Sequence, residues 1–410
     1  MKKVVKFGGS SLASARQFKK VKAIIDADKT RCYVVPSAPG KRDSKDTKVT
    51  DMLYQCYDAA STGQSYKRIL DQIKKRYTDI IDGLELNLNL DFEFSKIEEN
   101  FLNKVGRDYA ASRGEYLNGL IMANYLGFTF VDAADVIRFD ADGNFLSEET
   151  NEDMREHLAS LKQAVIPGFY GAKPDGTIHT FSRGGSDITG SIVARAIQAD
   201  LYENWTDVSG FLVADPRIVD NPAPIETITY TELRELSYMG ASVLHEDAIF
   251  PVRKEGIPIN IRNTNRPEDP GTMIVENTSK RPRYTITGVA GKKGFCAMNI
   301  DKAMMNSEVG FGRKVLEVFE KNGISFEHMP SGIDTMSVLV HQDEFQEKEQ
   351  SVLAGIQRAV HPDIVTLESD LAVIAVVGRG MKAMRGTAAR IFAALAHAKI
   401  NVKMIDQGSS

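Results

Sequence analysis

The sequence predicts an α/β protein with an open, mostly parallel sheet flanked by helices, followed by ferredoxin-like βαββαβ units. Near the amino terminus, apolar runs at 4–7 and 32–36 enclose a helical stretch around Phe18, which is the βαβ pattern of a parallel sheet. Between Phe295 and Leu367 the apolar periodicity instead changes in the order strand, helix, strand, strand, helix, strand. Because 410 residues exceed what one compact core usually holds, the two patterns predict separate domains.

Composition narrows the classes of partner. The chain is 42% hydrophobic and 26% charged, with a formal net charge of −4 and interleaved acidic and basic residues. This balance argues against nucleic acid or an anionic membrane as a partner, so we expect small molecules. Three widely spaced cysteines fit neither a disulfide framework nor a Cys-x-x-Cys metal site, which predicts a reducing, cytoplasmic compartment. No apolar run is long enough to predict a membrane span.

The first 280 residues are predicted to form one domain. After the second strand, apolar residues from Met52 to about Asn103 follow one helical stripe, which predicts a helical excursion from the sheet over about 52–110. Strand-like alternation resumes in four segments: Phe128–Asp132, Ala164–Tyr170, Ile178–Phe181 and Leu201–Trp205. A polar, basic stretch at Asn277–Pro282 marks the predicted end of the domain.

The C-terminal third predicts one βαββαβ unit and the beginning of a second. The predicted elements of the first unit are strands Phe295–Ile300, Ser325–Met329, Met336–Val340 and Ile364–Leu367, with helices Arg313–Lys321 and Glu344–Val360. The predicted elements of the second are strand Leu371–Val377, helix Thr387–Lys399 and strand Val402–Ile405. The repeated order predicts two related domains in tandem.

Two glycine-serine segments are candidates for phosphate-binding loops. Each follows a predicted strand and precedes a helical segment: Lys6-Phe7-Gly8-Gly9-Ser10-Ser11 and Ser182-Arg183-Gly184-Gly185-Ser186-Asp187. Paired glycines leave backbone N–H groups accessible, and a helix amino terminus adds partial positive charge. One such segment alone is more often a turn with a serine N-cap, but two copies, each beside a cation, favour phosphate binding. Neither is a Walker loop, and no Gly-x-Gly-x-x-Gly fingerprint occurs.

Three charged residues each allow a functional and a structural interpretation. Lys6 would point into the crevice that binds ligands in open α/β sheets, or it is a surface lysine. Arg183 offers a planar fork for a carboxylate or phosphate, or it forms a salt bridge near a helix start. Glu115 follows Ser112 at the spacing of a capping box, which locally favours a helix cap over substrate contact.

Three further polar segments are candidates for nucleotide or metal binding. Thr206-Asp207 and Asp215-Pro216-Arg217 flank a predicted strand, Gly210–Val213; turn chemistry explains each segment alone, whereas together they could surround a nucleotide. His245-Glu246-Asp247 lacks the second histidine of His-Glu-x-x-His. The sequence therefore predicts no metal ion held by the protein alone.

Together these segments resemble the aspartokinases of the amino acid kinase family. Four blocks in the family's order carry the resemblance: Lys6–Ser11, Ser182–Asp187, Thr206–Gly210 with Asp215-Pro216-Arg217, and Gly240–His245. The tandem βαββαβ pattern resembles the paired ACT domains with which aspartokinases sense amino acids. Because one ACT unit of that family is inserted in the other, the resemblance implies a first ACT domain at 296–367. A second, made of 284–295 and 368–410, would take one strand from Tyr284–Ala290 and be incomplete at its carboxyl end.

The resemblance implies roles for particular residues. Lys6 and Asp187 would be catalytic. The implied ATP contacts are Lys6, Gly8, Gly9, Ser10, Thr206, Asp207 and Arg217, and the implied L-aspartate contacts are Thr50, Glu115 and Arg183. Ser242 stands where many members have lysine, and Leu212 where some have tyrosine, so neither is expected to bind nucleotide.

The implied activity is ATP- and Mg²⁺-dependent phosphorylation of L-aspartate to 4-phospho-L-aspartate, the first step of lysine, threonine and methionine biosynthesis. Feedback inhibition by lysine or threonine and a homodimer or higher oligomer formed through the ACT domains are implied as well. Lysine is preferred because the excursion after Met52 resembles that of lysine-sensitive members. The implied effector residues are Asn306, Ser307, Gly310, Phe311, Gly312, Ser331, Asp334 and Ser337.

Three other interpretations stay open. A glutamate or carbamate kinase would share the glycine loops but lack tandem ACT units. A non-catalytic amino-acid sensor would have no reason to keep Lys6, Arg183 and Asp187 beside those loops. An ACT-bearing dehydrogenase would need the dinucleotide fingerprint that this sequence lacks.

Overall fold

The computed structural model describes residues 1–182, 184–240, 244, 248–278, 284–382 and 384–406. The chain divides into two compact units. The first unit consists of Met1–Arg234 with Ser242–Arg281, and the second of Glu235–Ala241 with Pro282–Ser410. In the described part of the chain, no helix combines the length and the apolar character needed to cross a membrane.

The first unit is built on an eight-stranded, mostly parallel sheet, as the sequence predicts. Its strands are β1 (Lys3–Phe7), β2 (Arg31–Pro36), β3 (Thr129–Phe130), β4 (Ala164–Val165), β7 (Leu201–Thr206), β8 (Thr227–Thr229), β9 (Ile259–Asn263) and β10 (Thr272–Val275). They lie in the order β3-β4-β2-β1-β7-β9-β10-β8, and only the β9–β10 pair among them is antiparallel. The fully buried Val4 and Val5 place β1 in the centre of the sheet.

The predicted helical excursion forms four helices, beginning three residues earlier than expected. The helices of this unit are α1 (Ala15–Asp26), α2 (Val49–Ser61), α3 (Lys67–Gly83), α4 (Asp91–Leu102), α5 (Arg107–Leu126), α6 (Ala133–Val136), α7 (Ser147–Leu158), α8 (Gly185–Ala196), α9 (Tyr230–Tyr238, ending in the second unit) and α10 (Phe250–Lys254). One hydrophobic core joins the apolar faces of α1–α5 to the sheet through residues such as Phe7, Phe18 and Tyr77. The excursion is therefore an integral part of the core.

The predicted strand Ala164–Tyr170 is wrong, because the chain turns in its middle. Ala164 and Val165 form β4 of the parallel sheet, whereas Tyr170 begins β5 (Tyr170–Ala172) of a separate hairpin. Its partner is β6 (Ile178–Thr180), and the two strands pair in antiparallel register. Pro167 and Gly168 interrupt the run, and Phe169 has a φ of +84°, which no extended strand contains.

The predicted strand Gly210–Val213 is also wrong, because only Leu212 of this segment takes part in a β-bridge. Gly210 has a φ of +99°, and the Phe211 amide donates 2.8 Å to Thr272 Oγ1 and not to a strand. Only an isolated bridge between Leu212 and Pro224 remains. Two backbone bonds flank this bridge, from the Val213 amide to the Ala223 carbonyl at 2.9 Å and from the Ile225 amide to the Phe211 carbonyl at 2.8 Å, so the pairing is too short to form a strand.

The second unit contains an antiparallel sheet flanked by helices. Its elements are β11 (Gly288–Asp301), α11 (Phe311–Lys321), β12 (Phe326–His328), β13 (Thr335–His341), α12 (Gln342–Gln346), α13 (Glu349–Val360), β14 (Ile364–Val377) and α14 (Thr387–His397). The strand order is β12-β13-β11-β14. An apolar core between this sheet and its helices contains Phe311, Phe319, Val338 and Ile356.

Four predictions for this unit are corrected. The predicted strands at 364–367 and 371–377 are one continuous strand, β14, which pairs along the equally long β11, and the predicted strand within 284–290 begins only at Gly288. The predicted helix Glu344–Val360 is divided, because Lys348 adopts φ −117° and ψ 1° between α12 and α13. Val402–Ile405 forms no strand; Met404 packs against Phe295 and Leu339 without a backbone ladder.

Candidate active site

Lys6 lies near the carboxyl end of the central strand β1, which is where open α/β sheets bind ligands. Its side chain is nearly buried, and Nζ lies 2.5 Å from Asp187 Oδ1. The same carboxylate oxygen accepts a hydrogen bond of 2.7 Å from Asn204 Nδ2, and Asn204 stands opposite Lys6 in the β1–β7 register. Asp187 therefore holds the ammonium group at the sheet edge, and Asn204, which the sequence did not single out, holds Asp187.

The first glycine loop passes beside that ammonium group. A methyl group on Gly8 would lie 3.6 Å from Lys6 Nζ, so Gly8 and Lys6 are direct neighbours. Residues Gly9–Leu12, which include Ser10, form a 3₁₀ turn, and α1 starts only at Ala15. The loop therefore offers backbone N–H groups from a short turn and not from the end of an α-helix.

The second glycine loop leads directly into α8. Gly184 has a φ of +56° as the N-cap, Gly185 begins the helix, and Asp187 lies in its first turn. A methyl group on Gly168 would lie 2.6 Å from Ser186 Cβ, so the loop packs closely on the chain after β4. Arg183, the proposed substrate fork, lies outside the described residues.

Phe169 is a residue that sequence reasoning missed. Its φ of +84° is rare for a bulky side chain and costs on the order of 1–3 kcal/mol. Its amide donates to Thr189 Oγ1 at 3.0 Å, and its carbonyl accepts from the Phe181 amide at 3.0 Å. A side chain on Gly185 would collide with the Phe169 ring. The only sequence signal is Gly168 immediately before it.

Glu115 lies in the interior of α5, so the predicted capping box at Ser112–Glu115 is wrong. The helix begins five residues before Ser112, because Gly106 with a φ of +134° supplies its N-cap. Glu115 is only 6% exposed, and its Oε2 has no hydrogen-bond partner among the residues that the structure describes. Burial raises its pKa to about 8, against the opposing effects of the Ala38 amide and of the Lys6 and Arg113 charges.

Thr50 lies beside Gly114, the neighbour of Glu115 in α5, and Asn118 lies three residues further along the same helix. A methyl group on Gly114 would lie 3.8 Å from Thr50 Oγ1 and 2.8 Å from Ala38 Cβ, so α2 and α5 meet at this point. Asn118 Nδ2 donates 2.7 Å to the Ser37 carbonyl oxygen, while its fully buried Oδ1 finds no partner within the described ranges. Two buried acceptors one helical turn apart would suit a cationic ligand group.

Of the predicted nucleotide residues beyond the glycine loop, Thr206 is half-buried, whereas Asp207 and Arg217 are exposed. Thr206 ends β7, next to β1, and its carbonyl accepts from the Thr264 amide at 2.9 Å. Asp207 Oδ1 accepts 3.3 Å from Thr206 Oγ1. Arg217, with a side chain 84% exposed, pairs only with its loop neighbour Asp215 in the described part of the chain, at 2.6 Å. The structure therefore holds Thr206 beside the glycine loop, whereas Arg217 bonds within its own loop.

The proposed effector residues form one loop system of the second unit. The Asn306 amide donates to the Ile333 carbonyl at 3.0 Å, and the Met304 amide donates to Asp334 Oδ1 at 2.9 Å. Ser337 Oγ donates 2.7 Å to Asn299 Oδ1 across β13 and β11. The other members of this set are Ser307, Gly310, Phe311 and Gly312 at the start of α11, and Ser331 before β13.

Two sequence-based candidates fall on parts of the chain without a description. Ser242 and His245-Glu246-Asp247 lie outside the described residues. Within the described ranges, no group of three histidine, cysteine, aspartate or glutamate side chains is arranged to hold a metal ion.

Comparisons with known proteins identify the family. Residues 1–263 match the model of the amino acid kinase family, and residues 374–410 match an ACT domain model. Aspartokinase 3 of Bacillus subtilis is 41% identical over 100% of this chain and 93% of its own. The crystal structure of Clostridium acetobutylicum aspartate kinase is 51% identical, with a TM-score of 0.91, and covers 100% of this chain and 94% of that one.

A more distant solved structure shares the fold. E. coli aspartokinase III superposes with a TM-score of 0.73 at 22% identity, over 100% of this chain and 94% of that one. At this identity the likeness shows the shared fold alone. The chain belongs to the aspartokinases, ATP-dependent kinases of the amino acid kinase family with C-terminal ACT domains.

Proposed function

We propose that this chain transfers the γ-phosphoryl group of ATP to the side-chain carboxylate of L-aspartate, giving 4-phospho-L-aspartate. One observation carries the proposal: Lys6 Nζ lies beside Gly8 of the first glycine loop, and its charge acts on the buried Glu115, whose Oε2 has no partner among the described residues. The E. coli aspartokinase III structure, similar in fold, contains aspartate and ADP. The product would enter lysine, threonine and methionine biosynthesis as its first intermediate.

Aspartate would be held by groups of both signs. Glu115 Oε2, buried without a partner among the described residues, is suited to accept from the substrate ammonium group. Thr50 lies beside Gly114 of the same helix, α5, and its hydroxyl group would form a hydrogen bond with a polar group of aspartate. Arg183 would supply the fork for the α-carboxylate, because a guanidinium matches a carboxylate in a bidentate geometry.

The difficulty of the reaction is repulsion between two anions. The acceptor carboxylate has a pKa of about 3.9 and needs no general base at neutral pH. Bringing it within about 4 Å of one phosphate charge costs roughly 4 kcal/mol at an effective dielectric of 20. Lys6 Nζ and the N–H groups of Gly8, Gly9 and Ser10 would offset this repulsion and stabilise charge on the transferred group.

The donor set near Lys6 fits a magnesium ion bound mainly by nucleotide. Magnesium usually takes one or two carboxylates together with phosphate oxygens and water. Asp187 is such a carboxylate, in the first turn of α8 beside Lys6. When bound with ATP, the ion would neutralise part of the phosphate charge. Asp187 would in either case keep Lys6 oriented, and Asn204 would keep Asp187 in place.

The nucleotide base and ribose would lie beyond β7. Thr206 and Asp207 follow that strand directly, next to the glycine loop on β1. Arg217 is exposed and would need to leave Asp215 to reach a phosphate. A phosphate contact by Arg217 would therefore require its side chain to move.

Regulation and assembly are assigned to the ACT units, taken as 296–367 and 284–295 with 368–410. We assign the catalytic domain to 1–280. Lysine or threonine would bind the loop that contains Asn306, Gly310 and Asp334, and lysine is preferred. E. coli aspartokinase III has been solved with lysine and aspartate, and the Clostridium enzyme is described as allosteric. A homodimer or larger assembly through these units, in the cytoplasm, completes the proposal.

A hydroxamate assay tests substrate and regulation together. The chain is incubated with ATP, Mg²⁺ and hydroxylamine, and with aspartate, glutamate or carbamate, each with and without lysine or threonine. We expect acyl hydroxamate from aspartate alone, and less of it when lysine is present. Product from glutamate or carbamate would favour another amino acid kinase. No product from any acceptor would favour a non-catalytic sensor.

A further inference from the structure

Gly40, in the loop between β2 and α2, lies directly against the first glycine loop. Its amide donates to the Gly9 carbonyl oxygen at 2.8 Å. A methyl group on Gly40 would lie 2.5 Å from the Gly9 carbonyl carbon and 2.7 Å from the Ser10 amide nitrogen. The two backbones therefore touch with no room for a side chain, and a displacement of Gly40 would displace Gly9.

The position of Gly40 depends on one buried arginine. Arg76 projects from α3 and is only 4% exposed. Its Nη2 donates to the Gly40 carbonyl oxygen at 2.8 Å. Its Nη1 donates to Asp46 Oδ2 at 2.8 Å and to the Thr47 carbonyl oxygen at 3.3 Å. One guanidinium thus joins both ends of the loop at 40–47.

The charge balance around Arg76 favours this geometry. Asp46 also accepts 2.9 Å bonds from the Arg42 amide and Nε, and these bonds with the Arg76 charge hold the pKa of Asp46 far below its usual value. Burial lowers the pKa of Arg76, yet a guanidinium stays protonated in proteins, so the buried cation has an ionised partner. Replacing Arg76 would remove the hydrogen bonds that the Gly40 and Thr47 carbonyl groups accept from its guanidinium group.

We propose that Arg76 is a positioning residue for phosphoryl transfer, because it fixes the loop whose Gly40 supports Gly9. The inference rests on the proposed phosphate role of the first glycine loop. Arg76 touches no substrate in this scheme. Its planar fork reaches two carbonyl oxygens and a carboxylate at once, which a lysine ammonium group cannot reproduce. The helical excursion would then set the geometry of catalysis from outside the cleft.

The test compares Arg76→Met and Arg76→Lys with the wild type in the aspartate-dependent assay. We expect kcat of Arg76→Met to fall about 10²-fold, because small misplacements of reacting groups have effects of this size. Arg76→Lys keeps the charge, so its kcat should fall by a smaller factor than that of Arg76→Met. Lys75→Met is the matched control: Lys75 is exposed on the same helix, pairs with Asp79, and should keep kcat within about twofold.

A merely structural role would lower the melting temperature without changing kcat per folded molecule, so both are measured. Gly40→Ala disturbs the same contact from the other side and keeps the test valid if Arg76→Met does not fold. Since both changes act through Gly9, the double variant should lose little more than the worse single variant. Additive losses, or unchanged kcat in folded Arg76→Met, would overturn the inference.

The proposed function and this inference can fail separately. A wild-type chain that forms no acyl phosphate would overturn the function. In that case ADP affinity, measured by calorimetry with Mg²⁺, replaces kcat as the readout. Weaker binding in Arg76→Met and Gly40→Ala, but not in Lys75→Met, would support the inference. Equal affinities in all four proteins would overturn it.

Discussion

Glu115 combines burial with an unpaired oxygen in a single carboxylate. Its side chain is 6% exposed inside α5, and Oε2 lacks a partner among the described residues. A pKa of about 8 means that the unliganded protein holds this group mostly protonated at neutral pH. An ammonium ligand prefers the ionised form, so ligand binding and loss of this proton should be coupled.

This coupling predicts a pH dependence of aspartate binding. As the pH rises from 6 towards 8, a growing fraction of Glu115 is ionised, and the KM for aspartate should fall by up to about tenfold per pH unit. Above pH 8 the KM should level off. In Glu115→Gln the KM should be higher and nearly independent of pH. Steady-state kinetics between pH 6 and 9 measure this, and a flat wild-type profile would contradict the role of Glu115.

The stability of the same two proteins provides an internal control. The folded pKa of Glu115 is raised from 4.5 to about 8, so the folded state binds the proton more tightly than the unfolded state. The contribution of this group to stability is therefore full below pH 4.5 and is lost as the pH rises through 8. The free energy of unfolding of the wild type should fall relative to Glu115→Gln over that range, and parallel curves would show that the pKa is not raised.

The sequence indicates some residues of the site and conceals others. Lys6 and Asp187 each belong to a glycine-serine segment, and the structure places them 2.5 Å apart. Local spacing wrongly assigned Glu115 to a helix cap, because the Ser-x-x-Glu pattern of a capping box also occurs within a helix that contains a buried glutamate. Asn204 and Arg76 act through partners far along the chain, a kind of contact for which a single sequence gives no signal.

At the level of elements, the junction of β4, the β5–β6 hairpin and α8 stores backbone strain. Phe169 is held at a φ of +84° by Thr189 of α8 and by Phe181 after β6. Thr189 Oγ1 also donates to the Gly185 carbonyl at 3.0 Å. Strained residues persist only when their surroundings fix them, and they cluster at functional sites. The position of the second glycine loop therefore depends on Thr189.

Thr189→Val tests this dependence with almost no change of shape. The variant would lose the fully buried Thr189 hydroxyl group, which accepts the hydrogen bond from the Phe169 amide. We therefore expect it to be about 1–3 kcal/mol less stable in urea unfolding. Thr177→Val, at an exposed position of the same hairpin, should stay within about 0.5 kcal/mol of the wild type. Equal stability of both variants with the wild type would show that the junction does not need this bond.

The predicted elements failed where tertiary contacts override local pattern. The run Ala164–Tyr170 is apolar throughout, but Gly168 must approach Ser186 and the chain turns there. Val402–Ile405 has strand-like residues, yet Met404 packs by its side chain alone. The helical excursion was predicted well because its stripe of apolar residues is long and regular, as at Ile73, Tyr77 and Ile80.

At the scale of the whole molecule, the two units have different architectures. The parallel sheet brings the ends of β1 and β7 together at one edge, so residues distant in sequence can share one cleft. The antiparallel unit joins β11 and β14 as two strands of 14 residues each, long enough to serve both predicted ACT domains. The order of elements was predictable from periodicity. That two predicted short strands form the single strand β14 was not, because the polar segment Glu368-Ser369-Asp370 between them is typical of a turn.

The central claim is that a cationic, glycine-lined cleft neutralises two anions during phosphoryl transfer, and the kcat of Lys6→Ala tests it most directly. Lys2→Ala, at an exposed position just before the same strand, serves as the control. With saturating ATP and aspartate, the account predicts that kcat of Lys6→Ala falls roughly 10²- to 10³-fold while the KM for aspartate changes little. A kcat equal to those of the wild type and Lys2→Ala would contradict it.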